Sequence, residues 1–209
     1  MTQDKSDLTL PELLERLAPV AYPTLREFYR HDCCIAAAAI LIRVFEHYGF
    51  EANAIPVTLQ IYNAPMVKLL MNEAPLPEDP DRRAKLFELT GAWGIGVVPA
   101  ASTLATLNGV PGGGYGGHLL VRVKEFLIDA TLAQATRPDK QIVLPQLLAT
   151  PHAFELLNSN AVSLEVNGCA VVYRLSSDET YLEAPDWKRR TFPVPETLKR
   201  ILIRLEASE

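Results

Sequence analysis

Three side chains of the kinds used in nucleophilic catalysis lie far apart in this chain: a thiol, an imidazole and a carboxylate. Cys34 follows Cys33 in a stretch typical of a buried helix, while His118 and Asp129 lie downstream on segments typical of strands. A cysteine nucleophile needs a stabilised thiolate, a base within reach and a group that orients the base. If they meet, one of the two thiols can attack an amide or ester carbonyl, His118 can move the proton and Asp129 can orient His118.

The two thiols lie at the start of a predicted helix over residues 32–49. Asp32 is a favourable N-cap, and Gly49 tolerates the left-handed conformation that ends many helices. Nearly every position between them is apolar as far as Arg43, which is typical of a helix buried in the core. The partial positive charge at a helix N-terminus favours a thiolate there. The backbone N–H of Cys34 is correspondingly expected to contribute to an oxyanion hole.

The imidazole and the carboxylate belong to a predicted hairpin, residues 118–131. A two-residue turn at 124–125 makes His118 and Asp129 diagonal neighbours on one face of the sheet. Long side chains in that relation reach each other across roughly 7–8 Å between backbones. A carboxylate so placed fixes the tautomer of the imidazole and stabilises the imidazolium. A turn one residue longer or shorter would move Asp129 to the opposite face.

Other segments predict where the remaining elements lie. Residues 8–29 predict an N-terminal helical segment, and residues 195–206 predict a C-terminal helix with one apolar stripe. Residues 51–62 predict a strand, in which Pro56 favours an edge or an early position. Residues 74–82 contain three prolines and mixed charge, which predicts a solvated loop.

A second hairpin is predicted over residues 161–175, around the turn-forming pair Asn167 and Gly168. Its pairing places Cys169 opposite Val166 on an apolar face, so we interpret Cys169 as a core residue. These elements together predict an α+β fold in which the buried cysteine helix packs on an antiparallel sheet. We expect one domain over residues 1–209, with its core at about 30–175.

Residues 91–117 are rich in glycine and end in Gly-Gly-Gly-Tyr-Gly-Gly. Such a run is not expected to form a regular element, and it predicts a flexible lid or a surface where backbone approaches a ligand. It lacks the Lys-Ser/Thr pair of a phosphate-binding loop. The candidate substrate-binding residues in and beside this run are Trp93, Tyr115, Gly116 and Gly117.

The composition excludes several classes of function. The 209 residues carry a net charge of −5, and they show no cluster of Lys and Arg that would indicate a nucleic-acid partner. No apolar run is long enough to span a membrane, and the polar N-terminus is unlike a signal peptide. Three cysteines do not make a disulfide framework, so we predict a cytoplasmic protein. The expected partner is a peptide, an amide or a small acyl compound, no cofactor is predicted, and the oligomeric state stays open.

The order of these features resembles the transglutaminase-like superfamily, a branch of the papain-like cysteine enzymes. Members use Cys, His and Asp in that chain order, and the interval from Cys34 to Gly49 is like the family's, which favours Cys34 over Cys33. Asp129-Ala130-Thr131 matches the family's Asp-Pro/Ala-Thr ending, whereas of the family's His-Ala-Trp only His118 is present. The resemblance covers about residues 32–134.

The resemblance implies a papain-like fold and a Cys-His-Asp triad that works through a thioester. It implies either a hydrolase, such as a peptidase or amidase, or an acyltransferase, depending on whether water or an amine accepts the acyl group. The usual Gly-x-Cys approach to the nucleophile is missing here. The Arg-Pro-Phe-Glu-Asn motif of the arylamine N-acetyltransferases, which share this core, is missing as well.

Three other interpretations of the same residues stay open. Cys34 can be only a small core residue, because free cysteines are often buried. The protein can be a noncatalytic module that keeps the fold and holds a peptide or small ligand in its cleft. A zinc site is the third alternative, without a recognised ligand spacing, and its ligands would be His31, Cys33, Cys34 and His118.

Overall fold

The fold is α+β, with helices gathered around a curled antiparallel sheet. The computed structural model describes residues 8–29, 33–72, 76–97, 115–188 and 193–207. Asp32, expected to cap the cysteine helix, lies outside these residues. None of the helices within them is long and apolar enough to cross a bilayer.

Seven helices and seven strands lie within the described ranges. The helices are α1 Leu10–Leu17, α2 Ala21–Phe28, α3 Cys34–His47, α4 Ala64–Met71, α5 Pro80–Thr90, α6 Ala153–Ser159 and α7 Val194–Glu206. The strands are β1 Ala52–Tyr62, β2 Gly94–Val97, β3 His118–Val123, β4 Phe126–Asp129, β5 Leu148–Thr150, β6 Ala161–Val166 and β7 Cys169–Leu175.

The long strand β1 lies at the centre of the sheet, whose order is β5-β4-β3-β1-β7-β6. The first half of β1 pairs with β3, and its second half pairs with β7 and β2. Pro56 lies in the first half of β1, which pairs on one side only, so the predicted edge or early strand position is confirmed. Proline is tolerated because Pro56 lies just before Val57, where the pairing with β7 ends, and its carbonyl accepts a bond from the backbone N–H of Ser176 at 3.0 Å.

Side-chain alternation along β3 explains how the sheet separates two cores. Leu119, Val121 and Val123 join the cluster that contains α3, while Leu120 joins the cluster on the other face. Helix α3 packs on β3 and β1 with one side and on α7 with another. Its first residue is therefore held against the start of β3, which is the region that carries His118.

The cysteine helix is shorter at its start than predicted. Cys33 is the N-cap and Cys34 the first helical residue, so the cap is one residue later than the predicted Asp32. Gly49 has φ of +80°, which confirms its predicted left-handed role after the helix. The two thiols consequently have different environments, because one belongs to the cap and the other to the first turn.

Both predicted hairpins are confirmed. Val123 pairs with Phe126 and Val121 with Ile128, which is the register of a two-residue turn. In the second hairpin Val166 pairs with Cys169, and Cys169 is 1% exposed, as expected of a core residue. Lys124 and Asn167 adopt positive φ at the two turns, a conformation that costs Lys more than Asn.

Two expectations are wrong. The loop predicted over 74–82 gives way at Pro80 to α5, which Asp79 caps by accepting a bond from the N–H of Arg82 at 2.8 Å. Part of the glycine-rich run is regular, since Gly94–Val97 forms β2 against the end of β1. The strand forms there because glycine lets the ring of Tyr62 lie directly over the backbone, where a Cβ on Gly94 would be 2.9 Å from that ring.

Candidate active site

The Cys34 side chain is half-buried and faces a cavity of about 330 Å³, called here the thiol cavity. Its apolar wall includes Ile35, Leu59, Ile95 and Leu132. Its polar lining includes Cys34, His118, Gln134 and Arg137, and Tyr115, Gly116 and Gly117 line it as well. The cavity gives a small molecule access to the thiol of Cys34 and to the ring of His118 together.

The neighbouring thiol of Cys33 has a different environment. Cys33 is 2% exposed, and its sulfur accepts a bond from the amide Nε2 of Gln134 at 2.8 Å. Burial raises the pKa of the Cys33 thiol to about 11, against a smaller opposing effect of Gln134. Cys33 is therefore a neutral packing residue, which leaves Cys34 as the thiol that faces the cavity.

His118 joins the thiol to the carboxylate. Its ring makes a hydrogen-bonding contact with the side chain of Cys34, and its Nε2 lies 2.7 Å from Oδ2 of Asp129. The predicted diagonal relation of His118 and Asp129 follows from the observed register of β3 and β4. Three side chains separated by up to 95 residues thus form one continuous row.

Asp129 is held on both oxygens. Its Oδ1 accepts from the backbone N–H of Thr131 at 2.9 Å and from the hydroxyl of that residue at 3.2 Å. Its Oδ2 accepts from the hydroxyl of Tyr173 at 2.9 Å in addition to the His118 bond. Four donors fix the carboxylate in a buried position, so it can orient His118 with little freedom of its own.

Tyr173 is a site residue that sequence reasoning missed. It lies on β7, is 1% exposed, and its ring stacks on that of His118 with centroids 6.4 Å apart and planes 15° from parallel. Burial and the adjacent carboxylate raise the pKa of Tyr173 well above its ordinary value, so its hydroxyl stays a donor. A signal was present, because alternation in the second hairpin places Tyr173 inward, and a buried tyrosine hydroxyl needs a partner.

The electrostatics favour a charged pair between His118 and Asp129. Burial opposes charge on His118, but the Asp129 carboxylate and the contact with Cys34 outweigh it and raise the pKa of His118 to about 10. Burial also opposes charge on Asp129, yet the imidazole and the bonds from Thr131 and Tyr173 hold the pKa of that carboxyl below its usual value. At neutral pH the pair is therefore an imidazolium beside a carboxylate.

The residues before β3 fix how His118 enters the site. Tyr115 donates its hydroxyl proton to the carbonyl of His118 at 2.8 Å, and its ring packs edge-on against Tyr181. A Cβ on Gly117 would lie 2.5 Å from the hydroxyl oxygen of Tyr115. Only glycine at position 117 leaves room for the Tyr115 side chain to lie against the backbone there. Tyr115, Gly116 and Gly117 all line the thiol cavity.

Trp93 lies in a different cavity from Tyr115, Gly116 and Gly117. It lines a larger space of about 630 Å³ between α4, α5 and β2, which we call the outer cavity. Lys140 places its ammonium 4.9 Å from the centre of the Trp93 ring at that cavity. Ile95 lines both cavities, so they are neighbours across β2.

The zinc alternative finds little support in the described ranges, where no group of three metal-ligating side chains comes together. His31 lies outside them. Cys33 contacts Gln134, and His118 contacts Asp129 through its Nε2. Among the described residues, the polar side chains of this region therefore contact one another in pairs rather than around a common centre.

Comparison with known proteins adds no family to this picture. No protein-family model, curated protein or solved structure matches the chain. A thiol at a helix N-terminus, an imidazolium beside it and an oriented carboxylate are the parts that thiol-dependent acyl transfer requires.

Proposed function

We propose that this protein is a cysteine-dependent acyl-transfer enzyme with Cys34 as nucleophile, His118 as acid and base, and Asp129 as the residue that orients His118. The observation that carries the proposal is the continuous row of contacts from Cys34 through His118 to Asp129, beside a cavity open to a small substrate. The order of these residues and the helix that bears Cys34 support membership of the transglutaminase-like superfamily with its papain-like fold.

The first half-reaction forms a thioester. The Cys34 thiolate attacks the substrate carbonyl carbon, and the carbonyl oxygen takes the electron pair of the π bond. The backbone N–H of Cys34 lies in the first turn of α3, where N–H groups have no acceptor within the helix, so it can donate to that oxyanion. When the tetrahedral intermediate collapses, the leaving amine or alcohol departs with its bonding pair and takes a proton from the His118 imidazolium.

The second half-reaction regenerates the thiol site. Water or an amine attacks the thioester and gives its proton to the now neutral His118. The sulfur of Cys34 leaves as a thiolate with the bonding pair, beside a reformed imidazolium. Asp129 stays ionised throughout and keeps Nε2 of His118 directed at itself, so that the other ring nitrogen serves Cys34.

Alkylation of Cys34 by iodoacetamide tests the proposal. At pH 5.5 an ordinary thiol with a pKa of about 8.5 is about 0.1% ionised. A nucleophile that His118 activates should react at least tenfold faster than an unfolded cysteine at this pH, measured by intact mass. His118→Ala should remove the advantage, whereas His47→Ala, on the exposed last turn of α3, should keep it. Reaction of Cys34 at the rate of an ordinary thiol would overturn the proposal.

Substrate probes extend the same measurement from reactivity to turnover. Peptide, ester and thioester probes should each be scanned for an acyl adduct on Cys34 by intact mass. Release of that adduct by water identifies a hydrolase, such as a peptidase or amidase, and release only after an amine is added identifies an acyltransferase. Cys34→Ser should carry no thioester adduct with any probe.

A noncatalytic binding protein is the second candidate, favoured by the volume of the outer cavity. Its walls combine apolar and aromatic side chains, including Tyr62, Phe87 and Trp93, which is typical of small-ligand sites. This candidate expects ligand binding that Cys34→Ala leaves intact, together with a Cys34 that alkylates slowly. The alkylation experiment therefore separates the two candidates.

The cellular setting is proposed from the thiols. Cys33, Cys34 and Cys169 are all free in the structure. A catalytic thiolate is lost on oxidation, so a reducing cytoplasm suits the proposed chemistry. The partner is correspondingly proposed to be a peptide, amide or small acyl compound rather than a nucleic acid.

A further inference from the structure

The thiol cavity carries a permanent positive charge in addition to the titratable His118. Among its described lining residues, Arg137 is the side chain that is charged at every relevant pH. Apart from His118 and Cys34, the rest of the lining consists of apolar side chains, glycines and neutral polar groups. A substrate that enters the cavity therefore meets the Arg137 guanidinium as well as His118, on a surface that is otherwise mostly apolar.

Arg137 is held in place by the segment that follows Asp129. Its Nη1 donates to the carbonyls of Gln134 and Thr136 at 3.1 and 2.7 Å. Its backbone pairs with Ile142 in both directions, at 2.7 and 3.0 Å. Because Gln134 also donates to the sulfur of Cys33, the segment that bears Arg137 is tied to the start of α3. The Arg137 side chain is an exposed part of the lining of the thiol cavity.

The charge of Arg137 is not neutralised by a carboxylate in the part of the chain that the structure describes. The acidic residue nearest in sequence, Asp139, lies 3.8 Å from the ammonium of Lys140 instead. Arginine presents a planar fork of donors that matches a carboxylate, and the bonds to Gln134 and Thr136 involve only one of its terminal nitrogens. The remaining donors are suited to an anion.

We propose that Arg137 binds a carboxylate on the acyl substrate, so that the protein acts on small acyl compounds that carry a negative charge. This inference rests on the proposed function, because it places the substrate carbonyl at Cys34. The cavity holds about 330 Å³, the volume of roughly eleven waters at ~30 Å³ each. That volume suits a compact acyl group with an apolar portion against Leu59 and Ile95.

Two alkylating reagents of nearly the same size test the charge preference. Iodoacetate and iodoacetamide both react as the Cys34 thiolate attacks the CH₂ carbon, a C–S bond forms and iodide leaves with the bonding pair. They differ in that iodoacetate carries a carboxylate. The ratio of their rate constants at Cys34 reports the preference and is unaffected by changes in thiolate content, which alter both rates alike.

Arg137→Gln should lower the iodoacetate-to-iodoacetamide ratio about three- to tenfold at low ionic strength, as expected for one charge a few ångströms away in a partly screened site. Arg137→Lys should keep most of the ratio. Arg43→Gln is the matched control, because it removes the same charge from the exposed face of α3 and should leave the ratio unchanged. An unchanged ratio in Arg137→Gln, or an equal fall in Arg43→Gln, would overturn the inference.

If Cys34 does not react with either reagent, a binding measurement tests whether Arg137 forms an anion site. Succinate should shift the side-chain Nε–H signal of Arg137 in a saturable way, whereas neutral succinamide should not. A shift with succinate and an unreactive Cys34 would mean that the proposed function fails and the anion site stands. An unreactive Cys34 with no succinate shift would reject both.

Discussion

At the scale of single residues, Asp129 is where the contacts of the site converge. Its carboxylate receives four hydrogen bonds, from His118, from Tyr173 and from both the backbone and the hydroxyl of Thr131. The site is therefore organised from the carboxylate outward, although Cys34 would carry out the chemistry. Substitutions at Asp129 and its donors are the sharpest tests at this scale.

Asp129→Asn removes the charge that stabilises the imidazolium while keeping the size of the side chain. We expect the pKa of His118 to fall from about 10, since the Asp129 carboxylate is the largest effect that raises it. Turnover should fall about 10²- to 10⁴-fold, because an amide no longer selects the required tautomer. Unfolding in urea should show a loss of about 2–4 kcal/mol for a broken buried pair. A His118 ring that still titrates near pH 10 would contradict this expectation.

Tyr173→Phe separates the hydroxyl from the ring. The phenylalanine ring keeps the stacking on His118 but removes the bond to Oδ2 of Asp129. We expect a loss of about 1–2 kcal/mol in the free energy of unfolding, typical of one buried hydrogen bond to a charged group. Tyr22→Phe on α2 is the matched control and should cost less than half as much. Equal losses in the two variants would mean that the Tyr173 hydroxyl contributes nothing specific.

The stability of the charged pair depends on pH in a defined direction. Because the pKa of His118 is raised from 6.5 to about 10 in the folded protein, its contribution is full below pH 6.5 and is lost as the pH rises toward 10. Because the pKa of Asp129 is lowered in the folded protein, its ionised carboxylate adds to the free energy of unfolding above pH 3.8. This stabilisation is lost as the pH falls below that value.

Urea unfolding at several pH values measures this contribution. The difference in unfolding free energy between the native protein and His118→Gln should shrink steadily between pH 6.5 and 10. The slope should not exceed about 1.4 kcal/mol per pH unit, the limit for one proton. A difference that stays constant over this range would show that His118 is neutral in the folded protein.

At the scale of elements, alternation was sufficient for both hairpins, whereas turn chemistry indicated only the second, at Asn167 and Gly168. The spacing of His118 and Asp129 predicted their contact because a two-residue turn leaves only one register that places both on the same face. Helix α5 was missed because none of its described residues is buried, so the sequence has no strong apolar stripe to reveal it. Its caps, Asp79 and Gly91, were the available signals.

Strand β2 was missed for a different reason, since glycine is a poor strand former and its role here depends on a partner distant in sequence. Gly94→Ala tests that role, because the new Cβ would lie 2.9 Å from the ring of Tyr62. We expect a loss of about 1–3 kcal/mol in unfolding free energy, typical of overpacking. Gly96→Ala is the matched control, since its Cβ would have nothing within 4 Å.

A double variant identifies the cause of that loss. If the Tyr62 ring is what excludes a Cβ, Gly94→Ala should cost markedly less in a Tyr62→Ala background than in the native protein. Additive losses would place the strain elsewhere in β2. Thermal or urea unfolding of the four proteins in the cycle supplies the coupling energy.

At the scale of the whole molecule, the site is assembled from elements that the chain order keeps apart. Cys34 comes from α3, His118 from β3, Asp129 from β4 and Tyr173 from β7. The sequence could indicate the first three, because each carries a recognisable chemical type within a patterned element. For Tyr173 it offered only the signal of a buried tyrosine that needs a partner, and for Gln134 and Arg137 it offered none, since their positions follow from how the segment after β4 packs near α3.

The C-terminal helix α7 supports this assembly from outside the sheet. Ile201 and Leu205 are buried against the cluster that contains α3, at 0% and 1% exposed. At its surface α7 is joined to α2 by ion pairs from Arg200 and Arg204 to Glu27, at 2.9 and 2.6 Å. Buried apolar contacts and surface ion pairs therefore both hold α7 against the rest of the protein. We expect them to contribute different amounts to the free energy of unfolding.

Ile201→Ala and Glu27→Gln compare those two energies. Ile201→Ala should lower the unfolding free energy by about 2–4 kcal/mol, because it leaves a cavity under α3, and the midpoint of thermal unfolding by about 5–15 °C. Glu27→Gln should cost no more than about 1 kcal/mol, as expected for partly exposed ion pairs. Alkylation of Cys34 under native conditions should stay within about twofold in both variants, since neither residue contacts the thiol cavity. A large fall in Cys34 reactivity in Ile201→Ala, at a temperature where the variant is fully folded, would show that α7 positions the nucleophile as well as stabilising the fold.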